Sequence, residues 1–108
     1  MSELPKVSEQ LEKLVSTDER YGMARARVKS LEHRLKVAKA VSFLEAEGRG
    51  NNAEREAMAL DSERYREVLS DYEDAVMEAE TLGTERQNAA LHIEVWRTFQ
   101  ANRRQGNI

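Results

Sequence analysis

The amino-acid sequence predicts an all-α fold, in the form of a long antiparallel helical hairpin of the coiled-coil type with a short connecting helix. Composition is the first support: 34% of the 108 residues are charged, with only one Pro and five Gly, which is typical of long helices. Spacing is the second. From Ser62 to Arg104, candidate core residues recur at alternating steps of three and four, the heptad pattern of a helix packed lengthwise on another helix.

The second long helix is predicted over 62–104, and its heptad positions define a seam, the line of side chains that faces another helix. Its members are Tyr65, Val68, Tyr72, Ala75, Ala79, Leu82, Arg86, Ala89, Ile93, Trp96 and Gln100. We predict core or oligomer anchors at five of these positions and at one residue three places beyond the Trp: Tyr65, Tyr72, Leu82, Ile93, Trp96 and Phe99.

The first long helix is predicted from about residue 6 to about residue 47, because Pro5 suits the first turn of a helix. Its apolar stripe is expected to run through Leu4, Val7, Leu11, Leu14, Asp18, Tyr21, Ala24, Val28, Leu31, Leu35, Ala38, Val41 and Leu44. Gly22 costs this helix about 1 kcal/mol relative to Ala. A kink or local break at 17–22 therefore stays open as an alternative.

A loop at 48–52 is predicted to join the two helices, because Gly48 suits a helix C-terminal cap. Asn52 is expected to cap a short helix over 53–60, which either stands alone or merges into the long helix. Asp61 or Ser62 is the expected cap of the long helix, and the tail 105–108 is expected to be disordered. The whole chain, 1–108, is thus predicted to be one helical-hairpin domain.

Charge supports an antiparallel arrangement of the two helices. Residues 20–39 contain seven basic residues and one acid, Glu32, whereas residues 54–80 contain ten acids. Folding back at the loop lays the basic segment beside much of the acidic one, and flanking charges of this kind set orientation in coiled coils. The same register predicts that Asp18 faces Arg86.

No residue pattern indicates catalysis. The chain has no Cys, its two His residues are far apart, and Gly48-Arg49-Gly50 lacks the Lys-Ser/Thr of a phosphate loop. We expect no catalytic residue, no metal ligand, no cofactor and no small-molecule substrate, and hence a protein that is not an enzyme. Because neither a secretory signal nor a bilayer-length apolar run is visible, the expected location is cytoplasmic, without a membrane partner.

The C-terminal segment combines aromatic and basic residues, which can stack bases and bind phosphates. Candidate nucleic-acid contacts are Arg97, Arg103 and Arg104, with Trp96 beside them. The heptad position of Trp96 favours the other interpretation, that it anchors the open end of the hairpin near Leu11, Leu14 and Val15.

Four stretches of the sequence resemble small helical proteins encoded by tailed bacteriophages and prophages. They are RLKVAKAV at 34–41, EGRGNNAEREA at 47–57, IEVWR at 93–97 and ANRR at 101–104. Such proteins often accompany genes for single-strand annealing and exonuclease activities. The resemblance implies an accessory role in phage DNA recombination, in the host cytoplasm, and assigns no site residue.

These observations predict a non-enzymatic protein that acts through protein–protein contact, either as a homo-oligomer or with a helical partner. A two-helix hairpin covers only one face of each helix, so association into a four-helix bundle or longer assembly would add buried area. Two alternatives remain. One is a single-stranded DNA-binding accessory module; the other is an inhibitor that presents an acidic face to a host nucleic-acid-binding protein. The inhibitor requires that the acids at 61–80 stay exposed after the hairpin forms.

Overall fold

A computed structural model describes residues 6–106, and it contains three helices in this range. They are α1 (Val7–Glu45), α2 (Asn52–Leu60) and α3 (Glu63–Arg104). The two long helices pack against each other, so the predicted all-α helical hairpin is confirmed. No strand occurs between residues 6 and 106. Residues 61–62 form a turn that separates α2 from α3, and this settles the alternative that the sequence left open.

The first helix is continuous from Val7 to Glu45, without the break that Gly22 made conceivable. Gly22 is exposed and has no neighbouring atom near the place where a Cβ would stand. Tyr21 and Ala24, on either side of it, face the seam and are covered. The packing of these neighbours outweighs the cost of about 1 kcal/mol that one glycine adds to a helix.

Glycines and caps form the turn between α1 and α2. Gly48 and Gly50 have φ angles of 82° and 128°, in the region that favours glycine. Asn51, rather than the predicted Asn52, is the N-cap of α2, because its side-chain oxygen accepts from the backbone N–H of Glu54 at 2.8 Å. The side chain of Glu54 returns toward the N–H of Asn51, which completes a capping box.

Ser62 caps α3. Its hydroxyl oxygen accepts from the backbone N–H of Tyr65 at 3.2 Å, so of the two expected caps the structure selects Ser62. Asp61 instead pairs with the guanidinium of Arg66. At the other end, Gln105 and Gly106 form a turn whose N–H groups bond to the last carbonyls of α3. The tail predicted to be disordered, 105–108, is thus ordered at 105–106. Its last two residues, 107–108, and the predicted seam residue Leu4 lie outside the described residues.

The chain divides into two compact units. The first combines α1 up to Gly22 with α3 from Glu80 onward. The second combines α1 from Met23, the whole of α2, and α3 up to Ala79. In each unit the partners run antiparallel. In the first unit Tyr21 lies beside Gly83 and Leu14 beside Arg86. In the second unit Glu45 pairs with Arg64 and Arg27 with Glu78.

The seam of α3 follows the prediction along its whole length, since all eleven members are buried or half-buried. The seam of α1 differs from the prediction. Its covered residues are Val7, Gln10, Leu14, Thr17, Tyr21, Ala24, Val28, Leu31, Leu35, Ala38 and Ser42. Leu11, Asp18, Val41 and Leu44 were predicted in the seam and are exposed instead.

A strict heptad explains this correction. At Leu11, Asp18 and Val41 the predicted seam is one residue away from the observed one. Leu11 and Val41 were chosen because they are apolar, and Asp18 because it kept the spacing from Leu14 to Tyr21. An unbroken helix keeps alternating steps of three and four, which brings the polar residues Gln10, Thr17 and Ser42 inside. Ser42 finds a partner there, because its hydroxyl lies 3.0 Å from that of Ser62.

The core is thin. The buried apolar residues of the described chain are Ala24, Leu31, Ala38, Ala46, Ala59, Ala75, Leu82 and Ala89. Six of these eight are alanine, so the helices approach closely but each contact buries little apolar area. Among the described residues, no helix combines the length and apolarity that crossing a membrane requires.

Candidate interaction surfaces

Arg86 connects several polar groups of α1 in the first unit. It donates from Nη1 to the carbonyl oxygen of Leu14 at 2.7 Å and to the hydroxyl of Thr17 at 2.9 Å. Its Nη2 lies 3.2 Å from Oδ1 of Asp18, so the two members of the predicted register pair do meet. The guanidinium also lies 5.6 Å from the centre of the Tyr21 ring.

The strength of this group does not come from the ion pair. The side chain of Arg86 is 20% exposed, whereas that of Asp18 is 79% exposed. An ion pair with one solvated partner contributes little. The bonds to the main chain of α1 and to Thr17 are the covered ones. Thr17 was not predicted in the seam, yet it binds Arg86 in a covered place and therefore stabilises this group more than Asp18 does. The three-residue heptad step from Leu14 to Thr17 is the sequence signal that points to it.

The predicted anchors differ in burial. Leu82 is buried, and the other five, Tyr65, Tyr72, Ile93, Trp96 and Phe99, are half-buried. Of the three α1 residues expected near Trp96, Leu11 and Val15 are exposed and Leu14 is half-buried. The covered seam residues of α1 in that unit are Val7, Gln10, Leu14, Thr17 and Tyr21.

The basic C-terminal residues remain accessible. Arg97, Arg103 and Arg104 are exposed, and Arg97 is 3.9 Å from Glu94, one turn earlier on the same helix. Trp96 is half-buried in the seam, which leaves only part of its ring for stacking. The arrangement can bind phosphate by charge, but it offers no open aromatic platform of the kind that holds successive bases.

In the second unit, Arg55 of α2 caps the end of α1. Its Nη2 donates to the carbonyl oxygen of Phe43 at 3.0 Å, and its guanidinium carbon lies 3.9 Å from the centre of the Phe43 ring. The last carbonyls of a helix lack i+4 partners, and that of Phe43 accepts the backbone N–H of Ala46 at 3.2 Å besides Arg55. The last turn of α1 has no basic residue of its own. This role of Arg55 was not predicted, because no spacing rule along one helix reveals it.

A shallow groove of about 490 Å³ lies between α1 and α2. It is lined by Lys36, Lys39, Ala40, Phe43, Leu44 and Glu56. Lys39 Nζ and Glu56 Oε1 form an ion pair at 2.7 Å. The hydrogen bond with Glu56 raises the pKa of Lys39, and the hydrogen bond with Lys39 lowers the pKa of Glu56. The pair holds α2 against α1 rather than activating either group, since both lie on the surface.

The outward side of α3 carries a second line of side chains, which we name the α3 outer stripe. Its members are Thr81, Thr84, Asn88, Leu91, Val95, Thr98 and Asn102. They recur at alternating steps of three and four, on the side of the helix opposite the seam, and all are exposed. Leu91 and Val95 are 59% and 48% exposed. None of the seven is charged.

Acidic residues border the α3 outer stripe. Glu80, Glu85 and Glu94 stand at neighbouring helical positions, as does His92, and the only Lys or Arg between 67 and 96 is Arg86, which belongs to the seam. The first half of α3 is acidic across its outward side. The acids of 61–80 are all exposed: Asp61, Glu63, Glu67, Asp71, Glu73, Asp74, Glu78 and Glu80.

The described residues contain no cluster of side chains that could bind a metal ion. Between residues 6 and 106, nowhere do three His, Cys, Asp or Glu side chains converge as a metal ion requires. His33 and His92 are both exposed.

Comparison with protein-family models, with curated proteins and with solved structures finds no match for the chain.

Proposed function

We propose that this is a non-enzymatic assembly protein that acts by protein–protein contact, and that the α3 outer stripe is its docking surface. One observation carries the proposal. The seam already accounts for the hairpin, yet α3 has a second uncharged heptad line that faces solvent. In a chain with 34% charged residues, seven successive outward positions without charge suit a helical partner rather than water.

The composition of the stripe fits a surface that is covered on binding. Leu91 and Val95 supply apolar contact near its middle, and burying them in a complex is favourable. The Thr and Asn residues can be desolvated at lower cost than charged groups and can form hydrogen bonds across an interface. The acids at the border can select a partner by charge.

The thin core is a second support. Alanines fill most of the buried positions, so the hairpin gains little stability from its own packing. Contact along another helix would add apolar burial without any change in the fold. In the setting that the sequence resemblance implies, such an assembly would be an accessory of phage DNA recombination.

Site-specific photo-crosslinking tests the proposal. A photo-reactive amino acid is placed at Leu91 in cells that naturally produce the protein, and Ser70, an exposed outward residue in the acidic half of α3, serves as the matched control. We expect a discrete protein adduct from position 91 and none from position 70. Equal labelling at both positions, or an adduct with nucleic acid alone, would refute the assignment of the stripe.

An acidic-faced inhibitor is the second candidate, because the acids of 61–80 stay exposed after the hairpin forms. Exposed carboxylates along a helix can occupy the basic surface of a nucleic-acid-binding protein. The test adds the protein to a complex of labelled single-stranded DNA with a single-strand-binding protein. Displacement by the wild type and not by a Glu67→Gln, Asp71→Asn, Asp74→Asn variant is the expected result. An unchanged complex argues against this function.

A further inference from the structure

The outward side of α1 carries a matching line, which we name the α1 outer stripe. Its members are Met23, Ala26, Ser30, His33, Val37, Ala40 and Leu44. They too recur at alternating steps of three and four, opposite the seam of their own helix, and all are exposed. Met23 and Leu44, at its two ends, are 66% and 64% exposed.

The border of the α1 outer stripe is basic. Arg27, Lys29, Arg34 and Lys36 stand at the neighbouring helical positions, and the one acid between 20 and 44, Glu32, lies next to the seam instead. Of these bases, Arg27 has an acid of its own chain within 3.8 Å, Glu78, in a pair whose partners are both half-exposed.

The two outer stripes match in length and are opposite in border charge. Each consists of seven positions spread over 22 residues, which is about 32 Å at 1.5 Å per residue. One is bordered by bases and the other by acids. Stripes of the same kind would bring like charges together along both borders, which is unfavourable. Unlike stripes bring opposite charges together.

We propose that the partner is a second copy of the chain, with the α1 outer stripe of one copy docked on the α3 outer stripe of the next. The inference rests on the proposed function and names the occupant of its docking surface. The seam is already used within the chain, so the copies associate back to back rather than by sharing one core.

This contact joins unlike surfaces, and such heterologous contacts leave one free surface of each kind in every open complex. Assembly therefore continues until it closes into a ring or grows as an open filament. The size of the particles is expected to rise with protein concentration until the assembly closes. The interface is polar along its borders, so added salt is expected to weaken it.

Charge exchange tests the pairing. The first variant carries Lys29→Glu and Lys36→Glu, and the second carries Glu80→Lys and Glu94→Lys. All four positions are exposed, so folding is retained and is checked by circular dichroism. Each variant alone brings like charges together, and its self-association is expected to weaken by about tenfold. Mixed in equal amounts, the two restore opposite charges at every contact, and association is expected to return.

A control and the contrary outcomes make the experiment decisive. Glu67→Lys with Asp74→Lys changes the net charge by the same amount on the same helix but outside the stripe, and it should not complement the first variant. Sedimentation velocity is the readout. A wild-type protein that stays monomeric up to about 100 µM, a concentration at which any Kd tighter than this value would produce assemblies, overturns the inference. Assembly that both reversals leave intact overturns it as well. A crosslink from position 91 to a different protein would then still support the proposed function.

Discussion

Arg86 donates from Nη1 to the backbone carbonyl oxygen of Leu14 at 2.7 Å, so a side chain of α3 binds the main chain of α1. A second bond from the same nitrogen reaches the hydroxyl of Thr17 at 2.9 Å. These two bonds define the antiparallel register of the first unit more firmly than the ion pair with Asp18 does, because they are the covered ones.

Substitutions at the two ends of this group separate the bonds. Arg86→Ala is expected to lower the free energy of unfolding by about 1.5–3 kcal/mol, since hydrogen bonds to a charged donor are lost in a covered place. Asp18→Asn is expected to cost only about 0–1 kcal/mol because the carboxylate is solvated. Urea denaturation measures both. Equal losses of unfolding free energy in the two variants would mean that the ion pair, and not the bonds to Leu14 and Thr17, supplies most of the stabilisation.

The Arg55 contact at the end of α1 predicts a local effect. Arg55→Met removes the donor to the Phe43 carbonyl and is expected to cost about 1–3 kcal/mol. Arg55→Lys keeps the charge but loses the planar stacking over the ring, so an intermediate loss is expected. Amide hydrogen exchange of residues 46–47 reports on the helix end. Exchange that rises uniformly along the chain instead would contradict a capping role.

Two glycines are expected to respond to alanine with opposite signs. Gly22→Ala should stabilise the protein by about 0.5–1 kcal/mol, because this helical position has open space around it. Gly50→Ala should destabilise it by about 1–3 kcal/mol, since φ is 128° and the new Cβ would meet the Glu54 side chain at 3.0 Å. Thermal unfolding of both variants is the measurement, and a shift in the same direction for both would contradict the turn geometry.

The Lys39–Glu56 pair predicts a pH dependence confined to α2. The pKa of Glu56 is lowered, so its contribution is present above the usual carboxyl range and is lost as pH falls through the lowered value. The pKa of Lys39 is raised, so its contribution is present below the usual lysine range and is lost as pH rises through the raised value. Between these limits the pair is intact.

An NMR titration of Glu56 checks this sign. The wild-type carboxyl is expected to titrate below an ordinary glutamate, and Lys39→Met is expected to bring its pKa back toward that value. A Glu56 pKa that ignores the loss of Lys39 would show that the ion pair does not persist in solution.

The seam of α3 could be predicted from sequence because its heptad is apolar nearly throughout and its steps never change. The same reasoning failed on α1 at Leu11 and Val41, which lie one position away from the true seam, and at Leu44, which lies two positions beyond its last member and faces outward. A continuous helix cannot change step to follow them without breaking, and the buried hydroxyls of Thr17 and Ser42 find partners across the hairpin instead.

The surfaces were harder to predict than the fold. Arg86 and Asp18 were found because they interrupt an otherwise apolar line. The Arg55 cap joins residues twelve apart across a turn, and no periodicity links them. The outer stripes are recognised by what they lack, namely charge, and this absence becomes meaningful only once the seam direction is known for each helix.

The alanine-filled interior has a thermal consequence. Unfolding raises the heat capacity mainly by exposing apolar surface, and over residues 6–106 the buried apolar residues are six alanines and two leucines. The heat-capacity increment should therefore fall below the ~12–15 cal/mol/K per residue that is usual for globular proteins. The curve of unfolding free energy against temperature is then shallow, so cooling costs this hairpin less stability than it costs a protein with a bulky apolar centre.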